Sequence, residues 1–123
     1  MKMKRGDTGR LGEKLAQEFL EKRGFCIIET NYRCPEGEVD IVALQGGCLV
    51  FVEVRTKSSL VFGSPEESIT RTKKRRLIAT AHHYRQIHDQ LPASWRIDLV
   101  AVKLDHKAKL SYIELIENAV TGD

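Results

Sequence analysis

The residues best suited to chemistry lie in two short runs, Glu38-Val39-Asp40-Ile41-Val42-Ala43 and Phe51-Val52-Glu53-Val54-Arg55. Between them stands Gly46-Gly47, a two-residue hairpin signal, because paired glycines supply the positive φ angles such turns need. With those two residues as the loop, Gln45 faces Cys48, Asp40 faces Glu53 and Glu38 faces Arg55. Side chains alternate along a strand, so these acids and Arg55 project from one face. Val39, Ile41, Val52 and Val54 are left for a core on the other. Directly opposed residues hold their Cβ atoms about 5 Å apart, and two carboxylates at that spacing can share a divalent cation. A three-residue loop would instead send Asp40 and Glu53 to opposite faces. The competing reading is an ion-pair cluster with Arg55 and Lys57. Like charges directly opposed destabilise a central hairpin, however, and a bound cation would offset that. Arg55 and Lys57 continue the parity of Glu53 and could stabilise a pentavalent phosphate or place an attacking water. Arg55 cannot serve as a base because guanidinium stays protonated; Lys57 could if its pKa were depressed.

These strands need elements to hold them. Leu11, Leu15 and Phe19, with Ala16 and Leu20 beside them, predict a helix over residues 8–23, closed by Gly24. Gly9 and Gly12 each weaken its first turn by about 1 kcal/mol relative to alanine, which is tolerated where another part of the chain approaches closely. Strands are predicted over 25–30, 38–44 and 48–54, with a loop over 31–37. A polar loop then leads to Ser64-Pro65-Glu66-Glu67, which reads as a capping box. The box opens a helical region, either one element or a short turn followed by a longer helix from about Thr70, that runs through Leu77, Ala81, Tyr84, Ile87 and Leu91 to Pro92. Strands over 95–104 and 110–116 follow, the last a candidate exposed edge. The order α-β-β-β-α-β-β predicts an α/β domain, a mixed sheet flanked by helices.

The chain of 123 residues, 41% apolar and 30% charged, suits one folded domain over 1–123, with 1–7 and 118–123 expected to be flexible ends. No apolar run is long enough for a membrane span, and the charged start leads into no apolar signal core. Three cysteines (Cys26, Cys34, Cys48) without a CxxC pair suggest reduced thiols in the cytoplasm. A zinc site from Cys34 and a histidine is the weaker alternative, since His82 and His83 are adjacent on a helix and diverge. The net charge of +3 is mild, but Arg71-Thr72-Lys73-Lys74-Arg75-Arg76 concentrates five cations at a helix start. There they oppose the macrodipole and repel one another, penalties a phosphate backbone would relieve. A solvated helix start is the bland alternative. With no recognition helix or zinc finger evident, binding is expected to follow nucleic-acid structure rather than sequence. Asp98, in Arg96-Ile97-Asp98, is expected to partner a neighbouring cation.

Gly9-Arg10-Leu11-Gly12-Glu13, Asn31-Tyr32-Arg33, the two acidic runs, Phe62-Gly63-Ser64-Pro65, Lys73 and Arg96-Ile97-Asp98 together resemble the YraN family of small bacterial proteins. That family is described as predicted endonucleases, distantly similar to archaeal Holliday junction resolvases of the PD-(D/E)XK, restriction-endonuclease-like group. The resemblance runs from Gly9 to about Ala119. It implies a restriction-endonuclease-like fold and a magnesium- or manganese-dependent endonuclease hydrolysing phosphodiester bonds in branched or structured DNA. By position it implies Asp40, Glu53, the Val54 carbonyl and Glu13 as metal ligands, Arg55 at the motif lysine position, and Glu38 as an accessory acid. Lys73 would approach the scissile phosphate, with Arg71, Lys74 and Arg75 on flanking phosphates. The family commonly has lysine then arginine where this chain has Arg55 and Lys57. Either Lys57 substitutes, or the chain is a catalytically impaired DNA-binding module in DNA processing or uptake. A scaffold role in the same processes is a third alternative. Resolvase-like relatives imply a homodimer; no small-molecule cofactor and no membrane partner are expected.

Overall fold

A computed structural model describes residues 5–58 and 69–121. The period-four apolar stripe near the N-terminus forms α1 (Arg5–Lys22). Three strands follow, β1 (Cys26–Cys34), β2 (Gly37–Gln45) and β3 (Cys48–Ser58), then α2 (Arg71–Ile87), β4 (Trp95–Leu104) and β5 (Leu110–Val120). They form one five-stranded sheet in the order β1-β2-β3-β4-β5. Only the β3–β4 pair is parallel among the described strands. A parallel neighbour requires a crossover, and α2 lies within it. The element order is the expected one, and the class is mixed α/β. No helix among the described residues is long and apolar enough to cross a membrane.

Each helix covers one face. Ala16 and Leu20 of α1 pack with Ile41, Val50, Val52, Val100 and Val102. Leu77, Ala81 and Tyr84 of α2 pack with Val42, Leu49, Phe51, Ile97 and Leu99 on the other face. Burying both faces of the central strands explains why β4 is buried from Ile97 through Val102 rather than alternating. Val39, expected beside Ile41, lies instead in the cluster under α2. The β1–β2 register is unchanged from Thr30–Ile41 to Tyr32–Val39, and Asn31 between them is left-handed (φ 53°).

Several boundaries differ from expectation. β1 continues through Asn31 to Cys34, so the connection to β2 shrinks to Pro35-Glu36. Asn31 does take the left-handed conformation that suggests a loop, yet the pairing carries on past it. The strand β5 runs to Val120 and α1 starts at Arg5, so both elements are longer than expected. The capping box at Ser64-Pro65-Glu66-Glu67 lies outside the described residues. Thr70 caps α2, its side chain accepting from the Lys73 amide at 3.1 Å. The helix stops at Ile87, before Leu91 and Pro92. The His88 ring donates through Nδ1 to the Tyr84 carbonyl at 2.9 Å, the acceptor that a continuing helix would have given to the His88 amide.

Gly12 is where α1 meets β3. A β-carbon there would overlap the Thr56 side chain, coming within 2.8 Å of its Cβ. Gly12→Ala is therefore expected to destabilise the fold by about 1–3 kcal/mol in urea unfolding, despite the better helix propensity of alanine. Adding Thr56→Ala should recover part of that loss.

Asp98 anchors the far side of the sheet. It is fully buried, accepts from Arg96 Nε at 2.9 and 3.0 Å through its two oxygens, and accepts from the Asn118 amide at 2.9 Å. Arg96 also donates to the Gln45 side chain at 2.9 Å. Burial raises the Asp98 pKa while these donors oppose the rise. Asp98→Ala would strand Arg96 and is expected to cost about 3–5 kcal/mol by chemical denaturation.

Candidate metal and nucleic-acid site

The β2–β3 pairing runs from Gln45–Cys48 to Ile41–Val52 in the register set by the two-glycine turn. Gly46 and Gly47 are both left-handed (φ 55° and 77°), as that turn requires. Asp40 and Glu53 are the next residues outward. At that point a side chain takes over from the backbone: the Val54 amide donates to Asp40 Oδ2 at 2.7 Å. The Asp40 carboxylate is thereby fixed against β3. Val54 itself packs into the cluster under α1, and it is the amide of this residue that is tied to the acidic group.

Three acids converge here. Glu53, buried on β3 at 4% exposure, and Glu13, half-buried on α1, both lie close enough to the Asp40 carboxylate to feel its charge. Burial first, then the Asp40 charge, push Glu53 up to about 8, with Lys73 pulling the other way. Burial, then Asp40 and Glu38, also raise Glu13. Crowded carboxylates that retain a proton near neutrality are suited to a cation that would take its place.

A cation beside Glu53 comes from the opposite layer. Lys73 Nζ lies 3.3 Å from Glu53 Oε2. Thr70 starts α2 so that Lys73 falls in its first turn, facing the sheet. Arg55 and Lys57 are half-buried further along β3, which stays regular to Ser58 and so keeps the parity of Glu53. Glu38, expected opposite Arg55, forms its ion pair with Arg33 of β1 at 3.1 Å, because β1 and β2 are paired at that position.

A cleft of about 460 Å³ adjoins the acids, lined by Arg33, Cys34, Gly37, Glu38, Lys73 and Arg76. Of the four basic residues singled out from the sequence, Lys73 lines it. Lys74 is half-buried, and Arg71 and Arg75 are exposed on other sides of the helix. Arg76 and Arg33 were missed as cleft residues. Arg76 follows Lys73 by three residues, hence on the same helix face, a spacing visible in the sequence. Arg33 was legible only if β1 was known to continue beyond Asn31.

The sequence profile of the uncharacterised protein family UPF0102 matches residues 12–102. A UPF0102 protein of Dehalococcoides mccartyi is 48% identical over 120 residues, covering 98% of each chain. One from Moorella thermoacetica is 44% identical over 119 residues, 97% of this chain and 99% of its own. One from Dictyoglomus thermophilum is 39% identical over 117 residues, 95% of this chain and 99% of its own.

Proposed function

The chain belongs to the uncharacterised protein family UPF0102, and we propose that it is a metal-dependent endonuclease hydrolysing phosphodiester bonds in branched or structured DNA. The observation that carries this reading is the junction of an acidic cluster with a basic cleft. Glu13, Asp40 and Glu53 gather on one side, and Lys73, Arg76 and Arg33 lead away from them. Phosphodiester hydrolysis needs both: a centre that activates water and cations that hold the backbone.

Asp40 and Glu53, with Glu13 from α1 and the Val54 carbonyl, would hold magnesium or manganese, hard cations that favour such oxygen donors. Bound there, the ion would supply an acidified water and neutralise charge on the phosphate. The remaining work falls to the protein. Asp40 is held in place by the Val54 amide. Lys73, beside Glu53, is placed to steady the negative charge that develops on the phosphate. Lysine from α2 thus provides the ammonium that Arg55 replaces at the motif position of β3. Lys57 lies beyond it on the same strand, and Arg76 and Arg33 would grip flanking phosphates without reading bases. Two chains paired at a sheet edge would present two such sites to a four-way junction; β5 is an edge, with Leu110 and Tyr112 exposed.

A second reading, a DNA-binding module without turnover, draws on Arg55, which cannot carry a proton to or from water. Incubation with four-way-junction and linear duplex DNA separates the two. A nuclease cuts with magnesium or manganese, stops in chelator, and still binds with a steep salt dependence. Binding without cutting in either metal would favour the module, and neither binding nor cutting would discard both.

A further inference from the structure

We infer that Cys34, Glu36 and His83 form a second cation site, separate from the acidic cluster and selective for zinc. It does not depend on the nuclease reading. One donor atom from each of the three side chains lies within 4.8 Å of the other two. They come from two elements that the sequence alone does not bring together. Cys34 ends β1, Glu36 sits in the Pro35-Glu36 turn, and His83 is in the middle of α2. The turn between β1 and β2 is two residues long, which keeps Cys34 and Glu36 close while leaving both beside the helix.

The donor chemistry selects the ion. Thiolate, imidazole and carboxylate together suit zinc, whereas magnesium and calcium avoid sulfur. Zinc stands about 2.0–2.3 Å from such ligands, so small side-chain rotations would draw the present donors into a tetrahedron. Three protein ligands leave a fourth position for water or an anion. The histidine is already oriented. The Tyr32 hydroxyl and His83 Nδ1 share a 2.6 Å hydrogen bond, and the two rings lie 6.2 Å apart. An outer partner that fixes the imidazole is a regular companion of metal-binding histidines. Tyr32 is buried at 7% exposure and packs edge-on to Tyr84, so the orienting hydroxyl is itself held firmly. Cys34 is a free thiol, half-buried, and also lines the basic cleft, which gives an ion a route in. A zinc ion here would clamp the β1–β2 turn to α2 at the mouth of that cleft.

The test is a cobalt titration of the full chain, reduced with a phosphine and free of competing thiols. Cobalt bound by a thiolate in a tetrahedral site gives a near-ultraviolet charge-transfer band and strong visible bands, which one equivalent of zinc should bleach. An all-oxygen site cannot produce the charge-transfer band, so the acidic cluster does not interfere. The band should vanish in Cys34→Ser. His83→Gln and Glu36→Gln should weaken cobalt binding by at least about tenfold. It should persist in the Cys26→Ser/Cys48→Ser double variant and in Asp40→Asn. Zinc should raise the thermal unfolding temperature of the wild type and leave that of Cys34→Ser unchanged. Absence of a thiolate band in the wild type, or its survival in a folded Cys34→Ser chain, would overturn the site. Circular dichroism establishes that the variants are folded, and the His83→Gln titration supplies a second route should Cys34→Ser misfold.

Discussion

Asp40→Asn and Glu53→Gln are each expected to remove divalent-cation binding at the acidic cluster and to abolish metal-dependent DNA cleavage, while the chain remains folded. Both substitutions keep side-chain volume, and asparagine retains an oxygen that can accept from the Val54 amide, now at 2.7 Å from Asp40. What is lost is charge at the position where a hard cation needs it. The loss of affinity should exceed the roughly 10–100-fold that accompanies loss of an outer-shell partner, because these are the proposed ligands themselves. Manganese calorimetry on the wild type and both variants, beside a junction-cleavage assay, measures this. Cleavage retained by both variants would remove Asp40 and Glu53 from the chemistry. Glu13→Gln should show a smaller loss, since Glu13 is only half-buried and arrives from a separate element.

The second large effect is a dependence on pH that originates at Glu53. Its folded pKa is pushed up to about 8 against an ordinary 4.5, by burial and then by Asp40. The folded chain therefore holds a proton that the unfolded chain releases. The stability this group contributes is complete below about 4.5 and is lost as pH rises through 8. In that window the unfolding free energy of the metal-free protein should fall by up to about 1.4 kcal/mol per pH unit. Glu53→Gln, which carries no titrating proton, should flatten the slope. Lys73→Met should steepen the effect at its alkaline end, because Lys73 is what lowers the Glu53 pKa. Divalent metal should oppose it, since an ion bound to the carboxylate form expels the proton. Below pH 8 that release should appear as a buffer-dependent heat in the manganese titration, and above it should fade. Urea unfolding from pH 5 to 9 is the direct check, and equal slopes in wild type and Glu53→Gln would refute the assignment.

The two predictions share a cause, the placement of a carboxylate in the layer between sheet and helix. A buried acid on an interior strand is unfavourable unless something compensates it. Lys73 does so in part, and the proton does the rest.

How much of this could be read in one dimension follows from the range of each interaction. The hairpin is local. Gly46-Gly47 sets the turn, the turn sets the register, and strand alternation puts Asp40 and Glu53 at adjoining positions of that register. The same holds for the Thr70 start of α2, the pairing of Asp98 with Arg96 two residues away, and the order of the elements. Local rules also misled. Asn31 has the left-handed backbone of a turn residue, yet cross-strand hydrogen bonding to β2 carries the strand past it. The divergence of His82 and His83 on one helix makes a site from Cys34 and a histidine the weaker reading of the sequence. Across the layer, Cys34 at the end of β1 and Glu36 in the turn after it nevertheless come close to His83.

The sequence by itself thus determined the register of the β2–β3 hairpin, because it follows from a turn of two residues. Only the tertiary structure decided that Lys73 is the cation at Glu53, that Glu13 reaches Asp40 where Gly12 lets α1 close on Thr56, and that Arg33 and Arg76 share a cleft. Those contacts depend on how two helices lie across opposite faces of one sheet, a geometry set by the packing of many side chains at once and carried by no local spacing.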